Sequence, residues 1–162
     1  MTGFSTPSPP PPPAIEPTIQ RLRPSVTVGA TLVVVGGALM IVGSILNWFD
    51  LDNEAFNGFA SGLEGVTNVK GGIFIVLGAL MLGFGITQLL VKRVLAIGII
   101  GAVASSLGLL VGLKALSDIN DLVDFGRYFG AEVATGPGLY VAVAGGIVAT
   151  IGSIVTVVKQ SA

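Results

Sequence analysis

The chain has 162 residues, of which 52% are hydrophobic and only 10% charged, with a net charge of −1. Soluble domains carry roughly 25% charged residues, so too little polar surface is present here for a soluble globule. Cysteine and histidine are both absent, which excludes disulfides, thiolate metal sites, the commonest haem, zinc and copper ligand, and the usual general base near neutral pH.

The first 24 residues form a separate composition block, with Pro7, an unbroken run from Pro9 to Pro13, then Pro17 and Pro24. Proline fixes φ and lacks a backbone donor, so this segment is expected to be extended or disordered rather than packed. It reads as a soluble tether that keeps the cytoplasmic face of a membrane domain clear. The competing reading is a docking peptide for a proline-recognising groove. Arg21 and Arg23 close the block, where anionic lipid headgroups would hold them.

Four stretches then run without Asp, Glu, Lys or Arg: 25–49, 71–91, 94–113 and 133–158. A helix needs about 20 apolar residues to cross a hydrocarbon core of roughly 30 Å, and each stretch is long enough. The first is far longer than a signal-peptide h-region and is followed by no cleavage site, so it reads as an uncleaved span. Trp48 and Phe49 close it beside Asp50, and Tyr140 opens the last; all three read as interfacial aromatics.

Between the first two spans, Asp50-x-Asp52-Asn53-Glu54 has alternating oxygens like the start of a calcium loop. It lacks the glycine at position six and the late glutamate of that pattern, and reads as a solvated acidic loop. The Lys92–Arg93 turn is so short that spans two and three must form an antiparallel hairpin. In the next loop Leu116, Ile119, Leu122 and Val123 recur at helical spacing, with Asp118, Asp121 and Asp124 on other faces. That predicts a short amphipathic helix capped by Ser117 at the outer interface, its acidic face turned to protein rather than anionic lipid. Gly136-Pro137-Gly138 then breaks the chain and opens the fourth span.

Charge gives an orientation. Arg21, Arg23, Lys92, Arg93 and Lys159 stand against Glu16 alone in the tail, the hairpin turn and the C-terminus, whereas the two remaining loops hold every other acid. Basic residues favour the cytoplasmic side, so both termini are expected inside a cytoplasmic membrane and both acidic loops outside. The expected fold is thus an all-α integral membrane protein. It comprises a disordered tail over 1–24 and a glycine-rich four-transmembrane-helix bundle over 25–162, with spans at about 26–48, 71–91, 94–113 and 138–158.

Glycines repeat every seven residues inside these spans. They are Gly29, Gly36 and Gly43; Gly71, Gly78 and Gly85; Gly101 and Gly108, with Gly112; and Gly138, Gly145 and Gly152. Seven residues return nearly to one helix face, so each span carries a stripe without side chains. Such stripes let backbones approach in lipid, where little hydrophobic force acts between helices, and the period favours crossings near +20°. These glycines are the candidate site residues, as helix-packing positions. Intramolecular packing of the bundle is the simpler use; an outward stripe, or Ala104–Gly108–Gly112, could instead meet another membrane subunit or a second copy. Spans one and four match in pattern, and spans two and four also share their glycine spacing, which hints at a duplicated two-helix unit.

Chemistry is harder to find. No ionisable residue lies inside a span, where such residues mark proton and ion paths. The hydroxyls at depth are expected to bond back to their own helices. No nucleophile has a base beside it, and the glycines are not a nucleotide fingerprint. No enzyme activity, metal, cofactor or nucleic-acid partner is therefore expected. The expected partners are the lipid bilayer and another membrane protein, or further copies of the chain. The leading function is a non-catalytic accessory or scaffold subunit of a larger membrane complex. The alternatives are a homo-oligomeric pore or small-solute facilitator and, more weakly, an envelope-stress or lipid-organising protein whose tail recruits a cytoplasmic partner.

Three short motifs carry a resemblance: Asn47-Trp48-Phe49, Ser61-Gly62-Leu63-Glu64-Gly65 leading to Gly71-Gly72-Ile73, and Gly136-Pro137-Gly138-Leu139-Tyr140. They resemble small bacterial four-span membrane proteins of the actinobacterial kind that carry a proline-rich cytoplasmic tail. The resemblance implies the four-span architecture and a bacterial cytoplasmic membrane, and brings no catalytic residue.

Overall fold

The computed structural model describes residues 24–52, 54–59, 69–91 and 95–161; the proline-rich segment lies outside them. Four helices dominate: α1 (Pro24–Ile45), α2 (Gly71–Leu90), α3 (Leu95–Tyr128) and α4 (Pro137–Ser161). All four are long and apolar enough to cross a membrane. The protein is a multi-pass membrane protein built on a four-helix bundle. Proline opens both α1 and α4, a position where the missing donor costs nothing because the first helical N–H groups have no intrahelical partner.

The helices form a ring in chain order, α1 packing on α2 and α4 and α3 closing against both. Each therefore runs antiparallel to its two neighbours. Met40, Phe74, Met81 and Leu139 are fully buried at the centre.

Two features depart from the expected loops. The first is a three-stranded antiparallel sheet in the order β2-β1-β3, from β1 (Asn47–Leu51), β2 (Glu54–Asn57) and β3 (Val133–Thr135). What reads as an acidic loop is a hairpin. Leu51 pairs with Glu54, and Asp52 turns the chain with φ of 49°, a left-handed conformation that Asp tolerates better than most residues. A bulge between Asn47 and Phe49 breaks the alternation of β1, so that Trp48 and Phe49 are both buried.

Trp48 is accordingly not a lipid-facing anchor. Its ring sits edge-on to Phe74 at 5.4 Å, and its Nε1 donates to the Gly43 carbonyl at 3.0 Å. Phe49 stacks on Phe56 across the hairpin at 4.9 Å. Tyr140, by contrast, is exposed at the start of α4.

The second departure concerns α3. The amphipathic segment from Leu116 is no separate interfacial helix capped by Ser117, but the continuation of α3, which spans 34 residues. At 1.5 Å per residue that is about 51 Å, some 20 Å more than the hydrocarbon core. The apolar face of the extension meets protein: Ala115, Ile119 and Val123 are buried, and the Asn120 and Thr135 side chains bond at 3.2 Å, holding β3. The helix then stops in a Schellman turn. Gly130, at φ of 77°, bonds Arg127 O at 3.2 Å, and Ala131 N bonds Gly126 O at 3.0 Å.

Candidate functional site

The glycine positions predicted to pack helices divide into two kinds. Along α1 and α4 they meet backbone to backbone. A Cβ added at Gly29, Gly36 or Gly43 would lie 2.8, 2.5 or 2.6 Å from the carbonyl oxygen of Gly152, Gly145 or Gly138. The converse distances, from a Cβ on the α4 glycine to the α1 oxygen, are 2.7, 2.6 and 2.8 Å. Contacts under about 3 Å cannot be accommodated without a shift, so only glycine allows this approach. The matched spacing of the two helices is thus what an antiparallel seam requires. It needs no duplication to explain it.

The glycine doublets of α1 and α4 each serve two seams, because successive residues differ by about 100° around a helix. Gly36 faces α4, while Gly37 faces α2 and meets Gly78 reciprocally at 2.7 Å. Gly145 faces α1, while the point where a Gly146 Cβ would stand is 3.2 Å from Leu109 Cα of α3. A Cβ added at Gly85 would stand 3.1 Å from Ala30 O, and one added at Gly71 would stand 2.8 Å from Gly58 O, where Gly71 N already donates to that oxygen at 2.6 Å.

The α3 glycines accept side chains instead. A Cβ at Gly108 would stand 2.9 Å from Met40 Cε and 3.0 Å from Met81 Cε; at Gly112 it would stand 3.1 Å from Val143 Cγ2 and 3.5 Å from Phe74 Cε1. Gly108 and Gly112 are therefore filled from within the bundle and offer no second face with Ala104. Gly101 has no atom nearer than 3.8 Å to that point.

Most hydroxyls at depth bond to their own helix: Thr31 to Thr27 O at 2.9 Å, Ser44 to Ile41 O at 2.6 Å, Thr87 to Gly83 O at 2.7 Å and Thr150 to Gly146 O at 2.8 Å. Ser105 bonds Ala102 O at 3.0 Å and also approaches Ser153 Oγ at 3.4 Å. Gln88 differs from all of these, since both its amide nitrogen and oxygen are buried without a partner among the described residues.

At the sheet end, the sequence pattern gave no warning of an aromatic tip. Phe125, Tyr128 and Phe129 are 62%, 85% and 67% exposed, yet lie against each other, with ring centroids 4.7 Å apart for Phe125–Phe129 and 5.3 Å for Tyr128–Phe129. Gly112 is level with Phe74 and Val143, so Lys114 stands beside the first turns of α2 and α4. Phe125 and Tyr128 lie about 16 and 21 Å further along the helix axis. With the hydrocarbon core taken to end at Lys114, the first charged residue of α3, that is more than the roughly 5–8 Å of a headgroup layer. Around it, Asp121, Asp124 and Glu132 are exposed, and Arg127 pairs with Asp124 at 3.7 Å.

Comparison with family profiles, with curated proteins and with solved structures found no match to this chain.

Proposed function

We propose that the protein is a non-catalytic accessory or scaffold subunit that binds a larger membrane complex through its sheet-end head. The observation carrying this reading is the exposed aromatic tip on the α3 extension, about 16–21 Å beyond Lys114 along the helix axis and flanked by exposed acids. The charge asymmetry of the loops supports placing that head outside the cytoplasm, with both termini inside. The glycine seams support a rigid support rather than a docking face, because both α1 stripes are engaged within the bundle. Side chains fill the ring's centre, so conduction would have to run between copies and not through one.

Purification of the tagged protein in mild detergent, with mass spectrometry of what co-elutes, tests the proposal. A membrane-protein partner in stoichiometric amount is expected, and Phe125→Ser with Phe129→Ser should release it without lowering the melting temperature. Elution of the chain alone, or unchanged co-elution of that double variant, would contradict it.

A further inference from the structure

At the end of the bundle opposite the sheet, α2 and α4 turn polar groups toward one bare patch of α3. Gln88 of α2 is only 5% exposed, and neither its Nε2 nor its Oε1 has a partner among the described residues. Gln160 of α4 has its buried Oε1 in the same condition. Both approach Gly98, where a Cβ would lie 3.3 Å from Gln160 Oε1 and 3.8 Å from Gln88 Nε2. One turn deeper, the corresponding point at Gly101 is 3.8 Å from Gln88 Nε2 and 4.0 Å from Ser153 Oγ, which itself faces Ser105. The polar strip ends at Gly108, beneath the Met40 and Met81 methyls.

An unpaired amide enclosed in a lipid-embedded bundle is strongly disfavoured, and a leucine of similar volume would avoid that cost. The partner must both donate and accept, because Gln88 offers both functions. An uncharged partner suits it, because no ionisable side chain among the described residues lines the strip. It must also be small: at Gly98 a Cβ would already press Gln160 Oε1 and Val157 Cγ2, each at 3.3 Å, and at Gly101 the nearest atoms stand at 3.8 Å. Water meets all three conditions, and needs two to four polar partners of the kind gathered here.

We propose that Gln88, Gln160 and the bare α3 face at Gly98 and Gly101 form a water-binding site. It carries hydration from the terminus end of the bundle to the Ser105–Ser153 pair and stops against Met40 and Met81. The site is a blind, wetted crevice, and it is independent of the docking head.

The chain contains no cysteine, so one introduced thiol gives a single infrared S–H band. Ser153→Cys in phosphatidylcholine vesicles transferred to D2O should exchange to S–D about tenfold or more faster than Val33→Cys. Val33 is buried at the same depth, its backbone nitrogen lying 2.9 Å from the Gly152 Cβ point, but faces the dry α1–α4 seam. Adding Gly98→Val should bring Ser153→Cys down to the Val33→Cys rate. Equal rates at the two positions, or no slowing by Gly98→Val, would overturn the proposal. Should the cysteine variant fail to fold, the native chain in nanodiscs with 15N-labelled glutamine answers the same question. Magnetisation transfer from water to the Gln88 side-chain amide, lost on Gly98→Val, is expected. Its absence, or a direct bond from Gln88 to Gln160, would overturn the site.

Discussion

At Gly36 and Gly145 a single hydrogen in place of a side chain decides how close two membrane helices can come. Glycine to alanine in a helix ordinarily stabilises by up to about 1 kcal/mol. At Gly145 the added carbon would stand 2.6 Å from Gly36 O and 2.8 Å from Met40 N, both backbone atoms that cannot rotate away. Gly145→Ala is therefore expected to destabilise by about 1–3 kcal/mol, the usual cost of overpacking. Gly83 of α2 has nothing within 4 Å of the same point, so Gly83→Ala should be neutral or slightly stabilising. Thermal unfolding of both variants in one detergent checks the pair, and equal effects would contradict the seam. Trp48 gives a second test, because it is the sole tryptophan. Buried beneath the sheet, it should be quenched weakly by both aqueous iodide and brominated lipid, whereas an interfacial tryptophan would respond strongly to the lipid quencher. Removing the indole by Trp48→Ala should cost about 3–5 kcal/mol, as truncation of a packed aromatic does.

Among the elements, the α3 extension matters most, because it converts a membrane bundle into one with a head. Its apolar residues from Leu116 to Val123 were legible as helical, but the sequence was read as a separate helix where it is continuous. The overlooked signal is negative: no glycine or proline falls between Leu113 and Phe125, so nothing stops α3 at the membrane surface. The strands were illegible for a different reason. They have five, four and three residues, too short for a periodic signal, and the bulge sets Trp48 and Phe49 side by side where alternation would have separated them. The glycine stripes were readable because a seven-residue repeat is local in sequence. Which stripe meets which, and that the α3 glycines receive methionine and valine instead of backbone, depends on register and could not be read. The Gln88 site shows no pattern in sequence, since its members lie on three helices. Within the extension, Phe125→Ser with Phe129→Ser should leave the melting temperature within about 1 °C while abolishing partner co-elution. A large loss of stability would mean that the aromatics are structural, because exposed positions ordinarily change stability by less than about 0.5 kcal/mol.

At the scale of the molecule, the two ends of the bundle differ in kind. One end is capped by a sheet, closed by Trp48 and extended by α3; the other carries the start of α1, the end of α2 and the unpartnered carboxamides of Gln88 and Gln160. Between them the helices are held by close backbone approach. This division requires an even number of crossings and a fixed sidedness. The absence of native cysteine makes both directly measurable: single cysteines at Asp52, Asp121, Lys92 and Lys159 can be labelled with a membrane-impermeant maleimide in intact cells and again after lysis. Asp52→Cys and Asp121→Cys should label in intact cells, and Lys92→Cys and Lys159→Cys only after lysis. Labelling of Asp52 and Asp121 from opposite sides, or of either together with Lys92, would contradict the four-span bundle.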